Sequence, residues 1–347
     1  MLMVFINFFD EIAKVSILKA QSGLYIDLLV TSMAPNVFIT VMGFLLVMSG
    51  RYKAKPILEK AIKLLFLGYI INLMRVPAPQ LIGNLLGITH YEDLTRQAIY
   101  HLSMIDIYSF VGYALLLVWP LTYVRLPYWV YFVLGILSFA AASFGHELLG
   151  LLPGYIKMGV AYIFVGEPKN VYFPIFPWIA YLWLGIGLGG FYLDHGRQNF
   201  YKMIARIGLF CVGIGYPIFR LNFTETFSML NNFYKHDYTV GVLLTGITLL
   251  SLFVAEKCFY RFPSFIKETL IFTSRHIVKM YFLSWILTGW FVTFHGLNNT
   301  FGICESVLGA TVIYLLSLLC LKCVEKLRMK PINQRLEGIR GASRLNT

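Results

Sequence analysis

The stretch HLSMIDIYSFVGYALLL places His101, Ser103 and Asp106 within six residues of one another inside an otherwise apolar run. A histidine can serve as general base or nucleophile near neutral pH. A carboxylate in such a run costs several kcal/mol in a bilayer unless it is neutral, paired or facing water. On one helix over 98–120, Ser103 shares a face with Asp106 while His101 points elsewhere, so any His–Asp pair must join different spans. Asp106 then reads as a pore-facing group or as a hydrogen-bond partner of a neighbouring helix, and the residues leave both open. Asn7 and Asp10 end the opening run MLMVFINFFDE, and Asp27 begins the next apolar stretch, where a carboxylate suits the positive end of the helix dipole. Cations gather at Arg51, Lys53 and Lys55, and again at Arg275 and Lys279, four apart and expected on one helix face; either set suits phosphate oxygens. The five cysteines are scattered, and the lone Cys320-x-x-Cys323 lacks the second ligand pair of a zinc site, so no metal and no disulfide framework is expected.

Those residues need elements to hold them, and composition states which kind. With 58% hydrophobic, 16% aromatic and 13% charged residues, the chain is too apolar for a soluble domain of its length. An all-α, polytopic integral membrane protein is expected. Windows long enough to cross a bilayer fall at 24–49, 57–78, 98–120, 127–145, 173–193, 203–221, 238–257, 270–294 and 304–324, with the opening stretch a shortened tenth. Lys and Arg crowd every second junction, which predicts both termini in the cytoplasm and a basic cytoplasmic tail over 325–347. On that topology His90, His101, His146, His236 and His295 fall on the outer half, and His195 and His276 on the inner half. The net charge of +12 is then explained by loops lying against anionic lipid, and no nucleic-acid partner is implied. No internal repeat divides the chain, so 1–347 reads as one domain, with 146–172 an interfacial or re-entrant segment. Pro35 is expected to kink its span, and Gly43 and Gly50 to allow close helix contact.

The stretch APNVFITVMGFLLVMSGR followed by KAIKLLFLGYIINLMR resembles the second and third helices of transmembrane acyltransferases, in the heparan-alpha-glucosaminide N-acetyltransferase-like branch with its bacterial relatives. HLSMIDIYSFVGYALLL, FPIFPWIAYLWLGIGLG with Pro177 and Trp178, and SRHIVKMYFLSWIL follow in matching order and spacing. The resemblance covers nearly the whole chain. It implies a donor, usually acetyl-CoA in the cytoplasm, and an acceptor hydroxyl or amine on a sugar or glycoconjugate across the membrane. It also implies a bacterial inner (plasma) membrane. Arg51, Lys53, Lys55, Arg275 and Lys279 are the expected donor-side cations.

The sequence departs from the family at its histidine. Many members carry it at the outer end of the first helix, where this chain has Asn7; the glucosaminide acetyltransferases place it in the next exported loop, which here (DEIAKVSILKAQSG) has none. His101, Asp10 and Asp27 are the candidate substitutes, and Asn7 a candidate for orienting substrate. The opening stretch looks like the second half of the family's first helix, so about ten to fifteen residues are expected to be missing before it. A membrane acyltransferase is the first reading. A non-enzymatic relative, or a transporter of a small anion or lipid-linked sugar, stays open beside it.

Overall fold

A computed structural model describes residues 21–124, 126–150, 152–166, 171–221, 236, 238–296 and 300–344, without the side chains of 21–33, 146, 148 and 328–344. The described residues are helical almost throughout. Five helices are long and apolar enough to cross a membrane: Tyr128–Gly145, Ile175–Leu221, Tyr238–Phe259, Ile277–His295 and Ile303–Leu327. Two compact units divide the packing, one of Gln21–Phe262 and one from Pro263 onward.

In the first unit, α1 (Gln21–Met48) runs uninterrupted through Pro35. It stops at Gly50, whose φ of 64° supplies the left-handed turn that ends many helices. Gly50 therefore makes a turn, with open space around it, and only Gly43 makes the expected close contact. α2 (Ala54–Arg75) ends before Pro77, which opens α3 (Pro77–Leu85). α4 (Leu94–Leu102) and α5 (Ile107–Val118) follow, the latter extended by a 3-10 turn at Trp119–Tyr123. Then come α6 (Tyr128–Leu149) and α7 (Gly154–Val160), which continues into a π-helical turn at Ala161–Val165. α8 (Ile175–Leu221) is two helices joined at Gly196, where φ 74° and ψ 172° break the helical path, and α9 (Tyr238–Phe259) completes the unit.

α8 is the hub, packing on α9, α1 and α6, while α2 packs on α5. Small residues set its closest approach. A side chain at Gly185 would drive into the Thr40 carbonyl of α1, and one at Gly43 would meet the α8 backbone in return. With lipid as solvent, such backbone-to-backbone packing supplies the association that water would otherwise drive. Leu188, Phe200, Ile204 and Leu249 form the apolar cluster where α8 meets α9.

The crossing helices bring the basic junctions to one end. Tyr52 and Tyr131 share a hydrogen bond of 2.6 Å. Tyr128 meets the His195 ring edge-on at 5.6 Å, and Arg197 pairs with Glu256 and donates to Tyr260. The turns near 52, 128, 197 and 258 are thus neighbours, as alternating spans require.

In the second unit, α10 (Ser264–Arg275), α11 (Ile277–His295) and α12 (Ile303–Arg344) bury Met280, Val292, Ala310, Tyr314 and Leu318 together. The window read as one span over 270–294 is broken at His276 (φ −115°, ψ 20°), so Arg275 and Lys279 stand on different helices and not on one helix face. The tail at 325–344 continues α12 without a break.

Candidate functional site

At the end opposite the basic junctions, the run expected as one helix over 98–120 comes apart. α4 stops at Leu102, residues 103–106 are unwound, and α5 starts at Ile107. Asp106 is accordingly not a mid-helix carboxylate. It is the N-cap of α5, buried to 8% exposure, and its Oδ1 accepts from the amides of Tyr108 and Ser109 at 3.0 Å each. That satisfies two of the donors every helix start leaves open.

Unwound backbone at membrane depth must find partners for its polar groups, and here each freed carbonyl has one. The Tyr162 hydroxyl donates to the carbonyl of Ser103. Asn72 Nδ2 on α2 donates to the carbonyl of Met104 at 2.8 Å. The amides of Tyr172 and Phe173 donate to the carbonyl of Ile105, which forms a parallel bridge with Val171. Tyr162, Val171 and Tyr172, from the segment expected to be interfacial or re-entrant, therefore hold the break. Gly68 lets α2 approach, since a side chain there would press on the Ser109 amide and the Asp106 carboxylate.

A cavity of about 380 Å³ opens beside the break. Tyr69, Tyr113 and Tyr162 form its aromatic walls, Ile99, Leu102, Met104 and Ile105 its aliphatic ones, and Ser103 and Ser109 its polar points. The hydroxyls of Tyr69 and Tyr113 meet at 3.2 Å. The Ser109 hydroxyl is buried beside the Asp106 carboxylate, without a well-directed hydrogen bond to it.

His101 stands at the end of α4, partly buried, its ring edge-on to Tyr100 at 5.4 Å. Its Nδ1 is buried and has no hydrogen-bond partner among the described residues. The guanidinium of Arg75, which donates to Met104 Sδ at 3.3 Å, acts electrostatically on both His101 and Asp106. The break thus gathers His101, Asp106, Arg75 and Asn72 at one end of the unit. Sequence reading missed Arg75 and Asn72. Both fall on one helical face with Gly68, a polar stripe on an otherwise apolar helix, and that was the available signal.

Pro177 and Trp178 lie at the start of α8, both buried, with Trp178 fully enclosed. Trp178 meets the His236 ring at 5.2 Å, and Tyr181 Oη lies 2.9 Å from His236 Nε2. His236, placed on the outer half from sequence, is 2% exposed, because these aromatic groups enclose it. Asn7 and Asp10 lie outside the described residues. Asp27 lies on α1, but its side chain is not among those described.

At the basic end, Arg51, Lys53 and Lys55 are exposed on the α1–α2 turn and the first turn of α2, with no ion pair among the described residues. Beside them the Tyr52 phenol is pushed up by burial and by the Tyr131 hydroxyl, so it stays a neutral donor. In the second unit Lys279 pairs with Glu325 at 2.7 Å, and Arg275 is exposed at the end of α10. No group of three or more His, Cys, Asp or Glu side chains suited to a metal occurs among the described residues.

Neither a curated protein nor a solved structure matches the chain. A family model does. That of the heparan-alpha-glucosaminide N-acetyltransferase catalytic domain covers residues 1–215, from the opening run through the α1–α2 turn and the polar break to the second half of α8. With the match extending over more than half its length, this membrane-embedded chain belongs to the heparan-alpha-glucosaminide N-acetyltransferase catalytic-domain family, a family of membrane acetyltransferases.

Proposed function

We propose that the protein moves an acetyl group from acetyl-CoA, held at the basic end, to a hydroxyl or amine of a sugar or glycoconjugate at the end where α4 and α5 separate. The observation that carries this reading is the family match, which spans both ends. Arg51, Lys53 and Lys55 take the donor's phosphates as exposed cations. Arg275 and Lys279 are the second proposed donor-side pair, with Lys279 shared with Glu325. His101, at the end of α4 beside the break, takes the acceptor's proton as the acetyl carbonyl is attacked and the CoA thiolate leaves. Asp10 or Asp27 is the substitute base and Asn7 the group that orients substrate, on the pattern of the family. Pro177 and Trp178 pack the entry of α8 against the same end. A bacterial inner membrane, with donor and both termini on the cytoplasmic side, fits the placement of Lys and Arg.

Acetyl-CoA turnover by purified protein in proteoliposomes tests this. His101→Ala is expected to abolish transfer and leave CoA binding intact. Arg51→Ala with Lys53→Ala removes two exposed contacts worth about 1 kcal/mol each, raising KM for acetyl-CoA roughly 10- to 30-fold. CoA binding without turnover by the unmodified protein, with every acceptor offered, would favour the non-enzymatic reading. Full transfer by the His101 variant would remove that residue from the mechanism.

A further inference from the structure

The cavity beside the break has a depth, a lining and a neighbouring surface that together point to its ligand. Tyr69 lies six residues before the end of α2 and Tyr113 six after the start of α5, each about 9 Å in at 1.5 Å per residue. The first ten residues of α2 carry Lys55, Glu59, Lys60 and Lys63, and Tyr69 lies in the mostly apolar run that follows, over 64–74. Tyr69 belongs to a stripe of exposed apolar side chains on α2, with Ile62, Phe66 and Leu73. Their spacing of three and four residues puts them on one face. The aliphatic wall includes Ile99, which is 64% exposed, so the cavity opens on an apolar surface.

The polar atoms at the cavity are mostly engaged with one another. Tyr69 binds Tyr113, and Tyr162 binds the Ser103 carbonyl. A free sugar entering the cavity would lose hydrogen bonds to water that these walls do not return. A hydrocarbon chain loses none. The volume falls in the ~300–1,000 Å³ range of ligand pockets.

We propose that this cavity receives the hydrocarbon chain of a membrane amphiphile, and that the acceptor is therefore a lipid-linked saccharide that approaches sideways through the bilayer. The acceptor half of this assignment rests on the acetyltransferase reading above. Lipid tails are as apolar as the cavity walls, so shape and the neighbouring polar break, not the hydrophobic effect, select the occupant. The cavity commits to the acceptor's own chain, and bulk phospholipid is the competing source.

The experiment uses the full chain in nanodiscs and two photoreactive probes carrying a diazirine in the hydrocarbon chain. One is a polyisoprenyl-phosphate N-acetylglucosamine and the other a phosphatidylglycerol. The isoprenyl probe is expected to label the peptides bearing Tyr69 and Tyr162, and Ile99→Trp, a substitution on an exposed side chain that fills the mouth, to lower labelling about tenfold or more. The same variant is expected to lower acetyl transfer to the lipid-linked sugar by a similar factor, with CoA binding unchanged. Leu102→Trp, which fills the cavity from the other side, should act alike. Equal labelling by the phosphatidylglycerol probe would make the cavity a bulk-lipid site and overturn the assignment. Transfer to a water-soluble sugar as efficient as to the lipid-linked one, and indifferent to Ile99→Trp, would also overturn it. Selective labelling without transfer to any acceptor would sink the acetyltransferase reading and leave the cavity assignment standing; transfer without selective labelling would do the reverse.

Discussion

Asp106 shows how one side chain can hold a structure that its neighbours in sequence oppose. Its carboxylate caps α5 through two amides, and removing a cap costs about 1 kcal/mol, with a range of 0.5–2. Asp106→Ala is therefore expected to lower thermal stability in detergent by about that amount. Asp106→Asn keeps an oxygen in place and should stay close to the parent protein. The pair separates cap from charge. If Asp106→Asn holds its melting temperature but loses transfer, the negative charge facing Arg75 contributes to function; if both variants melt early, the carboxylate itself is needed for the fold. Asp106 was legible as a residue the membrane would penalise, and its role was not. The two amides it binds are local, but the reason they are free is not, because Asn72 and Tyr162 hold the preceding carbonyls from 32 and 59 residues away. The burial of His236 was not legible for the same reason. The groups that enclose it, Trp178 and Tyr181, lie on α8, more than 50 residues away.

At the scale of elements, the spans that were legible are those whose ends carry their own signals. α1 stops at the glycine of SGR, α2 before a proline, and α8 divides at the glycine of DHGR. The breaks at 103–106 and at His276 carry no glycine or proline, so hydropathy ran through both as single spans. Tertiary hydrogen bonds made the first break, and propensity had no access to them. Close packing was partly legible, since Gly43 was expected to admit a neighbour, but its partner Gly185 was not. The crossing can be tested by contrast. Gly185→Ala would push a methyl group into the Thr40 carbonyl, backbone that cannot yield, and overpacking of this kind costs about 1–3 kcal/mol. Gly213→Ala, in the second helix of α8 and in open space, removes a flexible residue worth up to ~1 kcal/mol in a helix and should be neutral or stabilising. Equal losses of melting temperature in the two variants would refute the close α1–α8 contact.

For the molecule as a whole, function depends on which end faces which compartment. Tyr52 with Tyr131, Tyr128 with His195, and Arg197 with Glu256 gather the basic junctions, while Asn72, Met104, Tyr162 and Val171 gather at the other end. Lys and Arg in short loops are retained on the cytoplasmic side, so the first end should face inward and the second outward. Labelling with a membrane-impermeant maleimide reads this directly. In a variant with Cys211, Cys258, Cys304, Cys320 and Cys323 replaced by serine, Glu92→Cys on the exposed turn before α4 should react in intact cells. Lys53→Cys should react only after permeabilisation. The opposite pattern would place the cationic turn outside, away from cytoplasmic acetyl-CoA, and the transfer could not run in the proposed direction even if both half-sites were intact. The expected pattern would set the cationic turn on the side where the proposed acetyl-CoA donor is made, and the unwound segment on the side of the proposed glycan acceptor.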